Sequence, residues 1–324
     1  MYFKPEPLYG GCPVLEKGVA HLMQIFKSFN MLLRGRISIW DFVRTIKFDL
    51  LAIAGFSILV GFIATRHYFR ELLIPLSLVA IIGTAISLLL AFRTAQSYDR
   101  WWEARIIWGA IVNDSRTLIR QLRQFLPETE QKEIKTFVER QVIWNYALSE
   151  SLRKEPFSAR VQAFIREEGI TDFNVPNAIL SLHSCQLKQL AERGKITEFR
   201  QVQVDNTLVR LCESMGKCER IKTTVFPESY STLIHALIYL FTLLLPFGLE
   251  DDYPFIKALL TAGIPMIFVV IERTAIFMQD PFENSPLDTP MTTISETIEA
   301  NLRQQAGETV TRPAPPPPDA YYIL

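Results

Sequence analysis

Apolar residues gather into four long blocks, and one long polar interval separates the second from the third. The first block, Leu50 to Ala64, reaches spanning length when Ile46 to Asp49 are added, with Asp49 at an interface. The second, Leu72 to Phe92, carries no charge. Its length is close to the roughly 20 residues that a helix needs to cross a bilayer. The third block runs from Thr232 to Leu249, with His235 near its start, and the fourth from Pro254 to Ile271. Lys257 stands near the outer end of the fourth block, Pro265 inside it and Glu272-Arg273 at its inner end. Proline is tolerated in a spanning helix where neighbours answer the freed carbonyl. Between Arg93 and Pro227 the apolar positions recur at three and four, as in Ile134, Phe137, Val138 and Val142, or Val204, Leu208, Leu211, Cys212 and Met215. That period predicts long helices, broken near Pro127, Pro156, Gly169 and Pro176. No strand-like alternation competes with it. The pattern as a whole predicts an all-α membrane protein: four transmembrane helices per subunit plus a large helical bundle in water.

The segments outside the blocks complete the organisation. Residues 1–45 form an N-terminal segment whose part from Met31 to Lys47 mixes Arg34, Arg36, Arg44 and Lys47 with Leu32, Leu33, Ile37, Trp40, Phe42 and Val43. An amphipathic helix on the membrane surface and a helix packed on the aqueous bundle fit this mixture equally well. Residues 46–92 hold the first two spans, 93–230 the aqueous helical domain, 231–272 the last two spans and 273–304 a C-terminal segment with a further amphipathic helix from Met291 to Gln304. Residues 305–324 include Pro313–Pro318 and read as a proline-rich tail, extended or disordered. Lys and Arg cluster before the first span and after the second, whereas Glu250-Asp251-Asp252-Tyr253 joins the last two with acids only. The positive-inside rule puts both termini and the bundle in the cytoplasm, so the expected location is the inner membrane. Arg66 and Arg70 in the outer loop run against that rule.

Composition agrees with a divided chain. Hydrophobic residues make up 49% of 324, and a mean hydropathy of +0.15 lies between soluble and membrane proteins. Net charge is zero, so the basic footprint of a nucleic-acid partner is missing. Cys12, Cys185, Cys212 and Cys218 form no Cys-x-x-Cys pair, and buried thiols are expected rather than disulfides or a metal site. Leu8-Tyr-Gly-Gly-Cys12 follows no apolar run, so no signal peptide is expected. Motifs of zinc proteases, serine hydrolases, phosphate loops and dinucleotide folds are missing. His183-Ser184-Cys185 offers too few ligands for zinc. No enzyme activity, catalytic residue, cofactor or metal is expected.

Ala91-Phe92-Arg93, Ser97-Tyr98, Arg100-Trp101-Trp102-Glu103-Ala104-Arg105 and Trp108-Gly109 resemble the signature of the bestrophin family on its prokaryotic branch. Gly216-Lys217-Cys218-Glu219-Arg220-Ile221, followed by Thr223-Thr224 and Pro227, is similar to the same family, as is Asp280-Pro281-Phe282. The likeness runs from about Phe42 to Asn301. It implies a bestrophin-like pentamer, an ion channel built of helices.

Site residues follow from the residues first and the resemblance second. Thr84, Leu88 and Phe92 recur every four positions and share one helix face. Gly83, Ala85, Ser87 and Ala91 lie beside them and permit close helix approach. Spacing alone fits a pore stripe or a packing stripe within one subunit. The resemblance implies the pore neck, with Thr84 less bulky than is usual there. Apolar rings of this kind gate by dewetting. Gly194-Lys195-Ile196-Thr197-Glu198-Phe199 reads locally as a helix stop at Gly194 and a cap at Thr197. By resemblance it is also a cytosolic aperture, with Phe199 at the narrow point beside Glu198. Arg93, Arg100, Trp101, Trp102, Glu103 and Arg105 are expected to form interhelical ion pairs and stacking contacts. Asp280 begins a segment similar to the calcium-binding one of animal bestrophins. Ser285, Pro286 and Leu287 interrupt the acids here, and a capped turn without calcium is expected.

The expected function is passive transport of small monovalent ions through a homo-oligomer in contact with membrane lipids. Glu198 and the acidic turn favour cations over chloride. The alternatives are a chloride channel, as in animal bestrophins, and a membrane-anchored scaffold or sensor that binds partners through its bundle and proline-rich tail.

Overall fold

A computed structural model describes Arg44 and residues 46–64, 74–224, 226–249, 254–285 and 287–310. Most of the N-terminal amphipathic segment, the loop after Ala64, the acidic turn at 250–253, Cys12 and the proline-rich tail lie outside the described residues. Nine helices follow in order among those described: α1 (Lys47–Ala64), α2 (Leu76–Phe125), α3 (Gln131–Arg153), α4 (Ala159–Glu168), α5 (Val175–Glu192), α6 (Glu198–Thr223), α7 (Glu228–Gly248), α8 (Pro254–Gln279) and α9 (Met291–Gln305). Four of them, α1, α2, α7 and α8, are long and apolar enough to cross a membrane. The chain is a multi-pass, all-helical membrane protein.

The second span differs from the expectation at both ends. Ile74 and Pro75 are not helical, and the helix starts at Leu76. A residue before proline is pushed towards extended backbone, which delays the start. At the other end nothing stops the helix at Phe92. It continues for 50 residues in all and ends at Phe125; the next residue, Leu126, stands before Pro127 and its ψ of 146° is extended. At 1.5 Å per residue α2 is about 75 Å long, so one rod serves both the membrane layer and the polar bundle.

The other breaks have local causes. Lys154 ends α3 in the left-handed region at φ 57°, just before Pro156. Gly169 ends α4 at φ 66°, a conformation that glycine adopts without penalty. Pro176 lies inside the first turn of α5, where its missing N–H costs nothing, and Asn174 caps that helix by accepting from the Asn177 N–H. The break therefore lies before Pro176. Gly194, at φ 67°, follows α5, and Thr197 precedes α6 without a side-chain capping bond.

Two cores result. In the polar bundle, α2, α3, α5, α6 and α9 enclose Trp108, Trp144, Phe137, Leu118 and Ile298, all fully buried. In the membrane layer Ile53, Val79, Ile86, Ile238, Phe241 and Leu245 form a smaller one. There a Cβ on Gly83 would come within 3.1 Å of the Phe241 ring, so this glycine sets the α2–α7 approach. Hydroxyls in the apolar layer bond back to their own helices, as Ser57 does to Ile53 and Thr242 to Ile238. The expected burial of thiols fails at two positions. Cys218 is buried, but Cys185 and Cys212 are exposed, because they fall on the outer faces of α5 and α6.

Candidate pore and its anchoring network

The stripe on α2 is open to the outside of the chain. Leu88 is 72% and Phe92 55% exposed, and Thr84 is exposed as well. The Thr84 hydroxyl donates to the Ala80 carbonyl at 2.8 Å, so part of its polarity is spent within the helix. One residue further, Arg93 turns the opposite way and is 2% exposed. Its Nη1 donates to Glu272 Oε1 on α8 at 2.9 Å, and the second carboxylate oxygen meets His235 Nε2 on α7, also at 2.9 Å. Three helices thus meet on one buried carboxylate. Nearby, Arg273 pairs with Asp49 of α1. Tyr230 Oη donates to the Leu89 carbonyl at 3.1 Å and packs its ring 6.2 Å from Phe92.

Two turns on, Arg100 gathers three carbonyls. Its Nε donates to Gln279 O, its Nη1 to Thr224 O and its Nη2 to Ile221 O, at 2.7 to 2.9 Å. These are carbonyls left open at the ends of α8 and α6, where a cation is best placed. Trp101 donates its indole N–H to the Leu287 carbonyl, and Arg105 lies 4.3 Å over the Trp101 ring. Glu103 binds Arg220 at 2.6 Å. Trp102 is half exposed and stacks on Tyr98. The signature residues of α2 therefore bind α2 to the end of α6 and to the loop between α8 and α9.

Into that loop Lys222 of α6, whose side chain is 7% exposed, reaches Asp280 at 3.7 Å and forms a short contact with Glu283. Burial, with a hydrogen bond to Glu283, pushes the Asp280 carboxyl up to about 6, against the pull of Lys222. The hydrogen bond from Lys222 holds Glu283 below the usual range. Asp288 accepts from the Ser285 N–H and hydroxyl at 2.9 and 2.5 Å, closing the turn. Burial still raises its carboxyl.

The expected aperture residues stand far from the neck. Phe199 is 91% exposed and Glu198 exposed beside it, at the start of α6. Arg200 donates to the Phe125 carbonyl at 3.2 Å, so Phe199 lies level with the far end of α2, about 50 Å from Phe92 along that rod. A groove of about 330 Å³ beneath Phe199 is lined by Arg120, Gln121, Gln124, Phe125, Arg200 and Gln203. Sequence reasoning missed the partners: Glu272, His235, Lys222, Glu283 and Asp288 had no assigned role. A carboxylate at the end of an apolar block, Glu272, was the available signal. His183 is fully buried and stacked on Phe137, with burial and nearby Arg140 holding it well below its usual range, while Cys185 points outward.

These features agree with known proteins. The model of the bacterial and fungal bestrophin family matches residues 23–304. The chain belongs to that family. The voltage-dependent anion channel-forming protein YneE of Escherichia coli K12 is 29% identical over 273 residues, which is 83% of this chain and 89% of that protein. A protein of the same description from Ralstonia nicotianae, RSc3414, is 31% identical over 234 residues, covering 71% of this chain and 76% of its own. A crystal structure of a bacterial bestrophin homolog from Klebsiella pneumoniae superposes with a TM-score of 0.75 at 31% identity, over 82% of this chain and all of that one.

Glu272→Ala leaves Arg93 buried without its counter-charge, and breaking such a pair costs about 3–5 kcal/mol. Thermal unfolding in detergent should show a large loss for this variant; a transition unchanged from that of the native protein would contradict the network. Asp280 gives a pH test. Its carboxyl rises from an ordinary 3.8 to about 6 on folding. Its contribution to stability is then full below the lower value and lost as pH rises through the higher one. The melting temperature should fall between about pH 4 and pH 6, and Asp280→Asn should flatten that interval. An equal slope in the variant would count against it.

Proposed function

We propose that the protein is a homo-oligomeric channel, a pentamer, for passive movement of small monovalent ions across the inner membrane, with its termini and polar bundle in the cytoplasm. One observation carries this reading. The face of α2 that holds Leu88 and Phe92 is more than half exposed, whereas the next residue, Arg93, is locked into the protein. Copies arranged round an axis turn that face into stacked apolar rings held at fixed height. Such rings exclude ions until they widen, and ions then pass with part of their hydration shell removed. Family membership and the naming of relatives as channel-forming proteins support it.

Selectivity is assigned to the cytosolic end. Five copies of Glu198 beside Phe199 concentrate cations at the narrowest point. Arg200, the adjacent positive charge, is turned back onto the Phe125 carbonyl and ring. Monovalent cations are therefore the first reading. The second is chloride, favoured by the description of the Escherichia coli and Ralstonia relatives as anion channel-forming and by the exposed Arg120 in the groove under Phe199.

In a planar bilayer with asymmetric sodium chloride, the expected reversal potential lies near the sodium equilibrium value, and Glu198→Gln moves it towards chloride. A native value near that of chloride selects the second reading. Leu88→Ala shortens the apolar ring and should raise the conductance severalfold. If intact oligomer passes no current in either form, the channel reading fails and a membrane-anchored scaffold takes its place.

A further inference from the structure

We infer that one outer flank of α2 and the opposite outer flank of α6 are the two halves of a single contact between neighbouring copies, with Arg116 and Arg120 meeting Asp205 of the next copy. This rests on the oligomeric reading above. The argument begins from the register of the two helices within one chain. Glu103 pairs with Arg220, Asp114 with Arg210, and the Phe125 carbonyl with Arg200. The helices are antiparallel, and each residue of α2 has a known height on α6. By that register Gly109 lies level with Gly216, Asn113 with Cys212, and Asp205 between Arg116 and Arg120.

The faces not used in this pairing are open. On α2, Ile106 is 58% exposed, and Gly109, Asn113 and Arg120 are exposed on the same side. At 100° per residue they lie roughly 120° round the helix from the residues that touch α6. On α6, Val209 is 47% exposed, and Asp205, Cys212 and Gly216 are exposed along its line. They lie roughly 150° from the side that touches α2. Each free face therefore points away from the other helix of its own chain. Two copies set side by side bring the α6 face of one against the α2 face of the next. Such a head-to-tail contact makes a ring when the rotation between copies closes, as the oligomeric reading requires. A ring axis parallel to α2 leaves heights unchanged, so the residues matched by the register meet across the contact.

Charge and shape both fit. Among the described residues Arg116 and Arg120 have no acidic partner and Asp205 no basic one, and Arg120 and Asp205 are both exposed. An unanswered guanidinium against a carboxylate at the same height fixes register between helices. Two to three turns away, a Cβ on Gly109 or on Gly216 would meet nothing within 4 Å. Two glycines level with each other on facing helices let the backbones approach closely. The spacing explains why one helix serves both pore and contact. From Leu88 and Phe92 the exposed line continues at intervals of three and four to Arg120, and a 3.5-residue repeat drifts by about 20° per heptad on a straight helix. The line that faces the axis at the neck has turned sideways by Arg116.

Cys212 supplies the test. In the full-length protein in detergent, Asn113→Cys should form a disulfide with native Cys212 of the next copy under copper–phenanthroline. The two thiols lose their protons, and their two electrons go to the copper oxidant. Non-reducing gels should show a ladder of linked subunits that the native protein lacks and that Asn113→Cys/Cys212→Ser loses. Asp205→Arg should lower the mass measured by light scattering, and adding Arg120→Asp should restore it. Native protein of oligomeric mass with no ladder in Asn113→Cys, or a ladder that survives loss of Cys212, overturns the contact and leaves the channel reading intact. A monomeric native protein overturns both.

Discussion

A carboxylate buried at the edge of a membrane layer is costly unless a cation and hydrogen bonds answer it, and Glu272 is met from two sides. Arg93 reaches it from α2 and His235 from α7, while Glu272 itself belongs to α8. Removing Arg93 or Glu272 would leave the other charge buried and unanswered. The positions of the three helices are therefore set together. Arg93 follows directly on Phe92, so the height and rotation of the exposed stripe are fixed by a bond its own residues do not make.

Arg100 extends the same logic into the polar bundle. Three carbonyls that helix geometry leaves open at the ends of α6 and α8 converge on one guanidinium. Lysine, a point charge without the planar fork, would not serve three acceptors in this way. Trp101 and Glu103 add the loop after α8 and the last turn of α6. The run of arginines and tryptophans after the second apolar block is thus a joint between the membrane layer and the bundle.

The parts legible in the sequence are those with local causes. The spans follow from block length and the bundle from the period at three and four. The stops follow from Pro127, Gly169 and Gly194. The continuity of α2 was less legible, because the change from apolar to charged residues at Arg93 looks like a boundary although no breaker stands there. Pairings were not legible at all. Arg93 and Glu272 are 179 positions apart, and nothing in either neighbourhood names the other. Lys222 is similar: beside Arg220 in an exposed-looking turn it reads as a solvated charge, yet folding places it between Asp280 and Glu283. The openness of Cys212 was likewise hidden, since apolar neighbours at Leu208, Leu211 and Met215 suggested a core position.

The length of α2 has a mechanical consequence. A straight rod of about 75 Å that is gripped at Arg93 and Arg100, close to the neck stripe and far from its cytosolic end, is an unequal lever for those two places. A tilt of about 3° about that grip moves Leu88 and Phe92 by about half an ångström and the far end, level with Phe199, by about 2 Å. Small reorientations of the membrane layer therefore emerge magnified at the end remote from the lipid. The stripe at Leu88 and Phe92 and the far end at Phe199 cannot shift by equal amounts.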